Sequence, residues 1–182
     1  MVQNNLIAQY VKRIVHLETE FPDRDSETLL YDRLEKSFSL LPEEVLGLFL
    51  KGSRALAVEV MSDPYLPLGM VTKSKGPARK RQYVVVTYPE HANWTENRFI
   101  GAFLRELGHV VAQRPPEDEW PVSRGDRARF KERLEYRADA MVWRWGLRHY
   151  SMSFLSATYP PHWVERIVVE IGKTLLQEEQ VH

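Results

Sequence analysis

The sequence predicts an α+β domain in which helices flank a small, mostly antiparallel sheet. Three observations lead there. Apolar residues recur at helical spacing through the first third, the period becomes that of strands between residues 55 and 88, and helical spacing returns from about residue 93. With 182 residues, 43% hydrophobic and 27% charged, the chain is long enough to bury a core as a single domain. An N-terminal helical part, residues 1–52, is expected to precede a part holding the sheet, the motif helices and a C-terminal helix, residues 53–182.

Leu6, Ile7, Tyr10, Val11, Ile14 and Leu17 share one helical face, and Leu29, Leu30, Leu34 and Phe38 share another. Pro42 in a first turn, followed by Glu43 and Glu44, opens a third helix that Gly52 closes. Ala55–Met61 and residues 82–88, QYVVVTY, read as strands, with a weaker extended stretch at 66–72 between them. The basic segment KSKGPARKR, carrying Lys73, Lys75, Arg79, Lys80 and Arg81, reads as a solvated connection between strands rather than a phosphate clamp. Asn93, with Glu96 three residues on, has the form of a helix cap, and Phe99, Ile100, Phe103, Leu104, Leu107, Val110 and Val111 follow at helical spacing. A loop then leads to a helix over about 126–145 that Gly146 ends, and a last helix is expected over about 162–177. Trp143, Trp145, Tyr150, Tyr159 and Trp163 read as packing or interface residues.

Composition excludes several function classes. Twenty-five basic residues balance 25 acidic ones, so no overall field recruits nucleic acid or an anionic membrane. The absence of cysteine removes disulfides, thiolate metal sites and cysteine nucleophiles together. Lys12, Arg13, His16 and Glu18 interrupt any signal-peptide pattern and no apolar run approaches a membrane span, so a soluble, cytoplasmic protein is expected. Neither a glycine-rich phosphate loop nor a serine nucleophile motif is present.

The chemistry-bearing residues lie on the two central helices. Arg105-Glu106-Leu107-Gly108-His109 places Arg105 and His109 four apart, on one face, with Glu106 beside them. Glu135 and Asp139 are likewise four apart on the second helix. Without further context these would be a core histidine, a solvated Glu106 and an acidic stripe balanced by Lys131 and Arg137.

Residues 103–111, FLRELGHVV, resemble the H-E-x-x-H zinc helix with its first histidine replaced. Residues 134–140, LEYRADA, resemble the E-x-x-A-D segment of gluzincin metallopeptidases related to CAAX prenyl and heat-shock membrane peptidases. The likeness covers mainly residues 82–146 and, without membrane spans, points to the soluble minigluzincin type of the zincin-like fold. It implies that His109 and Glu135 stand at metal-ligand positions, Glu106 at the general-base position, and Asp139 behind a histidine ligand.

Arg105 departs from that pattern. A guanidinium stays protonated and offers no lone pair, whereas catalytic zinc takes three protein ligands and an open site for water. His16, His91, His149, His162 and His182 are the candidate substitutes, His91 the nearest to a strand end. Two functions from different classes follow. One is a catalytically inactive module, without a cofactor, that binds an extended peptide or protein along strand 82–88 by β-augmentation. The other is a zinc-dependent metallopeptidase with an altered ligand set. On the inactive alternative, Arg105 is expected to replace the metal's charge by pairing with Glu135.

Overall fold

The computed structural model describes residues 2–17, 21, 23–52, 55–61, 70–75, 81–87, 90–112, 115 and 120–179. Helix α1 (Val2–Ile14) runs directly into a short strand β1 (Val15–Leu17); α2 (Arg24–Ser39) and α3 (Glu43–Leu50) follow. Asp23 caps α2, its side chain accepting from the Ser26 amide, and Pro42 precedes α3 as the sequence predicts. Strands β2 (Ala55–Met61), β3 (Met70–Lys75) and β4 (Arg81–Thr87) come next, then a 3-10 turn at Glu90–Asn93. Four helices complete the chain: α4 (Glu96–Val111), α5 (Arg124–Arg144), α6 (Arg148–Thr158) and α7 (Pro161–Glu179).

The α+β class holds, but the sheet is not mostly antiparallel. Its strand order is β1-β2-β4-β3; β1 pairs with β2 and β2 with β4 in parallel, and only β3 runs antiparallel, against β4. The physical signal was the run Val84, Val85 and Val86. All three are at most 1% exposed. A strand apolar on both faces belongs to a covered parallel sheet, whereas a half-solvated antiparallel strand alternates. The segment expected at 66–72 appears as β3 a few residues later, and positions 66–69 lie outside the described residues. Within the expected basic loop, Lys73 and Lys75 belong to β3 and Arg81 to β4, while Arg79 and Lys80 lie outside the described residues.

The sheet order also relocates the free edge. Strand β4 is paired on both sides, to β2 and to β3, so it does not border an open cleft. Among the described residues the open edge on that side belongs to β3, against which α4 packs.

One core joins these layers, from Ile7 in α1 to Ile171 in α7. Its aromatic centre is Phe38, met edge-on by Tyr10, Phe49 and Phe103 at centroid distances of 5.3, 5.6 and 5.7 Å, so that α1, α2, α3 and α4 share one contact point. Arg33 ties α2 to the entrance of α4 by donating to the Trp94 carbonyl at 2.8 Å. Helix α4 is buried at every position from Phe99 to Val110.

Such burial needs close neighbours, and two glycines provide them. A Cβ at Gly101 would lie 2.1 Å from the Tyr150 carbonyl oxygen on α6, and one at Gly108 would lie 2.6 Å from the Ala138 carbonyl oxygen on α5. In an ordinary helix Gly→Ala is favourable by about 0.5–1 kcal/mol. Here Gly101→Ala should instead destabilise by about 1–3 kcal/mol in urea unfolding, and Gly108→Ala by somewhat less, because backbone rather than a flexible side chain must give way. Unchanged or raised stability of Gly101→Ala would show that α6 is not seated against α4.

Candidate functional site

Three helices build the site. Thr95, not Asn93, caps α4: its hydroxyl accepts from the Arg98 amide at 3.4 Å, while Asn93 is used in the preceding 3-10 turn. Ser123 caps α5 by accepting from the Asp126 amide at 3.3 Å, and Gly146, with φ of 77°, turns the chain away at its end. With Gly108 letting α5 approach, Arg105 and His109 on α4 face Glu135 and Asp139 on α5.

The predicted face-to-face arrangement is present. His109 Nε2 lies 3.0 Å from Glu135 Oε2, and Arg105 Nη2 lies 3.2 Å from the same oxygen. Arg105 Nε is 3.0 Å from Asp139 Oδ2, a contact of opposite charges without the alignment of a hydrogen bond. The other Asp139 oxygen accepts from the Ser151 hydroxyl at 3.1 Å, and Ser151 Oγ accepts from the Trp143 indole N–H at 3.2 Å. Phe154 on α6 places its ring 5.5 Å from the Arg105 guanidinium carbon.

Burial makes this cluster electrostatically demanding. Asp139 is fully buried and Arg105, Glu106 and His109 are nearly so, which excludes Glu106 as a solvated surface charge. Burial pushes the Asp139 acid above the usual carboxylate range, while Arg105 and the Ser151 hydroxyl pull it part of the way back. For Arg105 burial opposes the charge, but Asp139, then Glu135, Tyr159 and Glu106, outweigh it and hold the guanidinium protonated more firmly than usual. His109 Nε2 and Glu135 Oε2 share one proton across their 3.0 Å contact, the imidazole donating when Glu135 is ionised.

These residues do not fit a zinc site. The Glu135 oxygen that His109 meets is shared with the Arg105 guanidinium, a permanent cation with no lone pair at the position of the third ligand. Asp139 faces that same guanidinium, at the position of the missing histidine. Three of the candidate substitute histidines lie elsewhere. His16 is exposed on β1, at the far edge of the sheet from β3; His149 is exposed on α6, its ring tilted against Tyr150 at 4.0 Å; His162 is exposed beside Trp163. His91 falls in the 3-10 turn, and His182 lies outside the described residues.

Sequence reasoning missed Ser151, Phe154 and the polar use of Trp143, because it drew no helix over 148–158. Comparison of the chain with protein-family models, with curated proteins and with solved structures finds no match in any of the three.

Removing Arg105 takes the only permanent cation from buried Asp139 and partly buried Glu135 within this cluster, so Arg105→Ala should cost about 3–5 kcal/mol at neutral pH, and adding Glu135→Gln should recover part of it. The penalty should shrink as pH falls toward about 4, because an acid whose folded pKa is raised favours the fold in its protonated form, and protonated carboxyls need no cation. Denaturant titrations of both variants between pH 4 and 8 measure this. A neutral Arg105→Ala, or a loss independent of pH, would refute the charge-replacement account.

Proposed function

We propose that the chain is a zincin-like, gluzincin-type metallopeptidase homologue whose site operates without a metal, as a binding or regulatory module rather than a hydrolase. The observation that carries this is the Arg105 guanidinium, set 3.2 Å from Glu135 and 3.0 Å from Asp139, a fixed cation between carboxylates in a motif whose spacing matches a zinc helix. Peptide hydrolysis by that chemistry needs a polarised carbonyl and an activated water, and a protonated guanidinium engaged with two carboxylates supplies neither a Lewis acid nor a site for water. Glu106, at the general-base position, then has no metal-bound water to deprotonate.

What remains useful is the sheet edge beside α4. An extended peptide adding to the sheet would pair with β3, whose outer edge is open among the described residues, rather than with β4. Main-chain hydrogen bonds would give the affinity, and the Arg105 cluster would hold α4, which packs on β3, rigid.

Metal content tests the first part. Protein purified without added metal should hold no stoichiometric zinc by elemental analysis, and Arg105→His, which restores a nitrogen donor beside His109 and Glu135, should gain it. Tight zinc in the unaltered chain, with peptide hydrolysis that Glu106→Gln abolishes, would establish an active enzyme with an altered ligand set instead. For the β3 edge, a bound peptide should slow amide hydrogen exchange in residues 70–75 and leave the already paired 81–87 unchanged. Protection confined to another element would sink β-augmentation at this edge.

A further inference from the structure

Away from the Arg105 cluster, α5 and α7 diverge to leave a polar groove of about 510 Å³, in the size range of small-molecule sites. Its lining carries four basic side chains, Arg129, Arg133, Arg166 and Lys173, against three acidic ones, Asp126, Glu132 and Glu170. Two of the basic groups are satisfied within their own helices. Arg129 pairs with Asp126 at 3.0 Å, and Lys173 with Glu170 at 2.7 Å.

Arg133 and Arg166 are different. Neither has a carboxylate partner among the described residues. Each lies over an aromatic ring of its own helix, Arg133 6.0 Å from the Phe130 centroid and Arg166 5.6 Å from that of Trp163. A guanidinium held near a ring, with no carboxylate partner, keeps N–H donors for an oxyanion, which its fork can take through two parallel hydrogen bonds. Between them Tyr136 is half-buried, and its hydroxyl makes no hydrogen bond to a described residue. Burial, with Glu132 and Glu170 nearby, holds that phenol protonated, so it is a donor. Glu132 is the one unpaired carboxylate of the lining and opposes an anion. The excess of cations over unpaired acids is therefore one, which suits a single compact anionic head rather than a polyanion.

We infer that the α5–α7 groove binds a small organic anion, its carboxylate or phosphate head held by the Arg133 and Arg166 guanidiniums and its body lying over Tyr136. The site is separate from the Arg105 cluster and stands whether or not the chain is a metal-free peptidase homologue. Organic probes should bind more tightly than a bare ion, because the groove is larger than an oxyanion and Tyr136 offers it an aromatic wall.

Benzoate, phenyl phosphate and inorganic phosphate titrated into the full chain, followed by calorimetry and by the Tyr136 and Trp163 ring resonances, test this. Saturable binding of benzoate or phenyl phosphate, tighter than that of inorganic phosphate and weakened by added salt, is expected. Whichever of the two binds more tightly identifies the head group. The double variant Arg133→Ala/Arg166→Ala should weaken it about tenfold or more, and Glu132→Gln should strengthen it. All three positions lie on exposed or rim surfaces, so melting curves should show the variants folded. Failure of every probe to saturate, or equal affinity in the double variant, overturns the proposal.

Discussion

A helix buried on every side for three turns leaves no water for the charges it carries there, and that constraint organises this protein. Helix α4 turns every residue from Phe99 to Val110 inward, yet three of them are Arg105, Glu106 and His109. Isolated in an apolar interior each would cost several kcal/mol, so partners must come from neighbouring helices. Glu135 and Asp139 on α5 meet Arg105 and His109, Ser151 on α6 completes Asp139, and Gly101 and Gly108 let those two helices come close enough. The same helix leans on β3 and α2, so the polar cluster sits at the junction of the layers rather than at an edge.

Charge accounting explains why Arg105 fits where a metal-binding side chain would not. Asp139 and Glu135 bring carboxylates into a site that is buried at Asp139 and partly buried at Glu135, and His109 Nε2 meets Glu135. With both ionised, a monocation that is permanent, planar and tethered by its own backbone neutralises half of that charge without competition from solution ions. Such clusters are not strong contributors to net stability, since a well-packed apolar replacement often does as well. Their effect is to make one packing of three helices much better than its alternatives, and to make any single loss from the cluster expensive.

The spacing of chemistry-bearing residues was legible because it is a property of helices alone: Arg105 and His109, like Glu135 and Asp139, are four apart, and the apolar stripe around them fixed which way they point. The cap of α4 was legible to within two residues; Asn93 and Thr95 are both good caps, and only the 3-10 turn decides between them. The run Val84, Val85 and Val86 signals a covered parallel strand, but its partner was not legible, since β2 and β4 pair across 26-residue offsets such as Ala55 with Arg81. Helix α6 escaped because RHYSMSFLSAT alternates serines with apolar residues, so its buried face reads as mixed until Tyr150, Ser151, Phe154 and Leu155 are seen to pack on α4 and α5. Leu17 continued the spacing of α1 and hid the short strand β1.

The Trp143 indole has a place in this arrangement that packing alone does not give it. One side meets the guanidinium of Arg148, 4.3 Å from the ring centroid and turned to solvent, while its N–H donates inward to Ser151 and through it to Asp139. Electron density on the Asp139 carboxylate thus polarises a chain of two hydrogen bonds that ends on a chromophore. A change in the ionic state of buried Asp139 therefore reaches the indole N–H of Trp143 through Ser151, where that proton's chemical shift would register it.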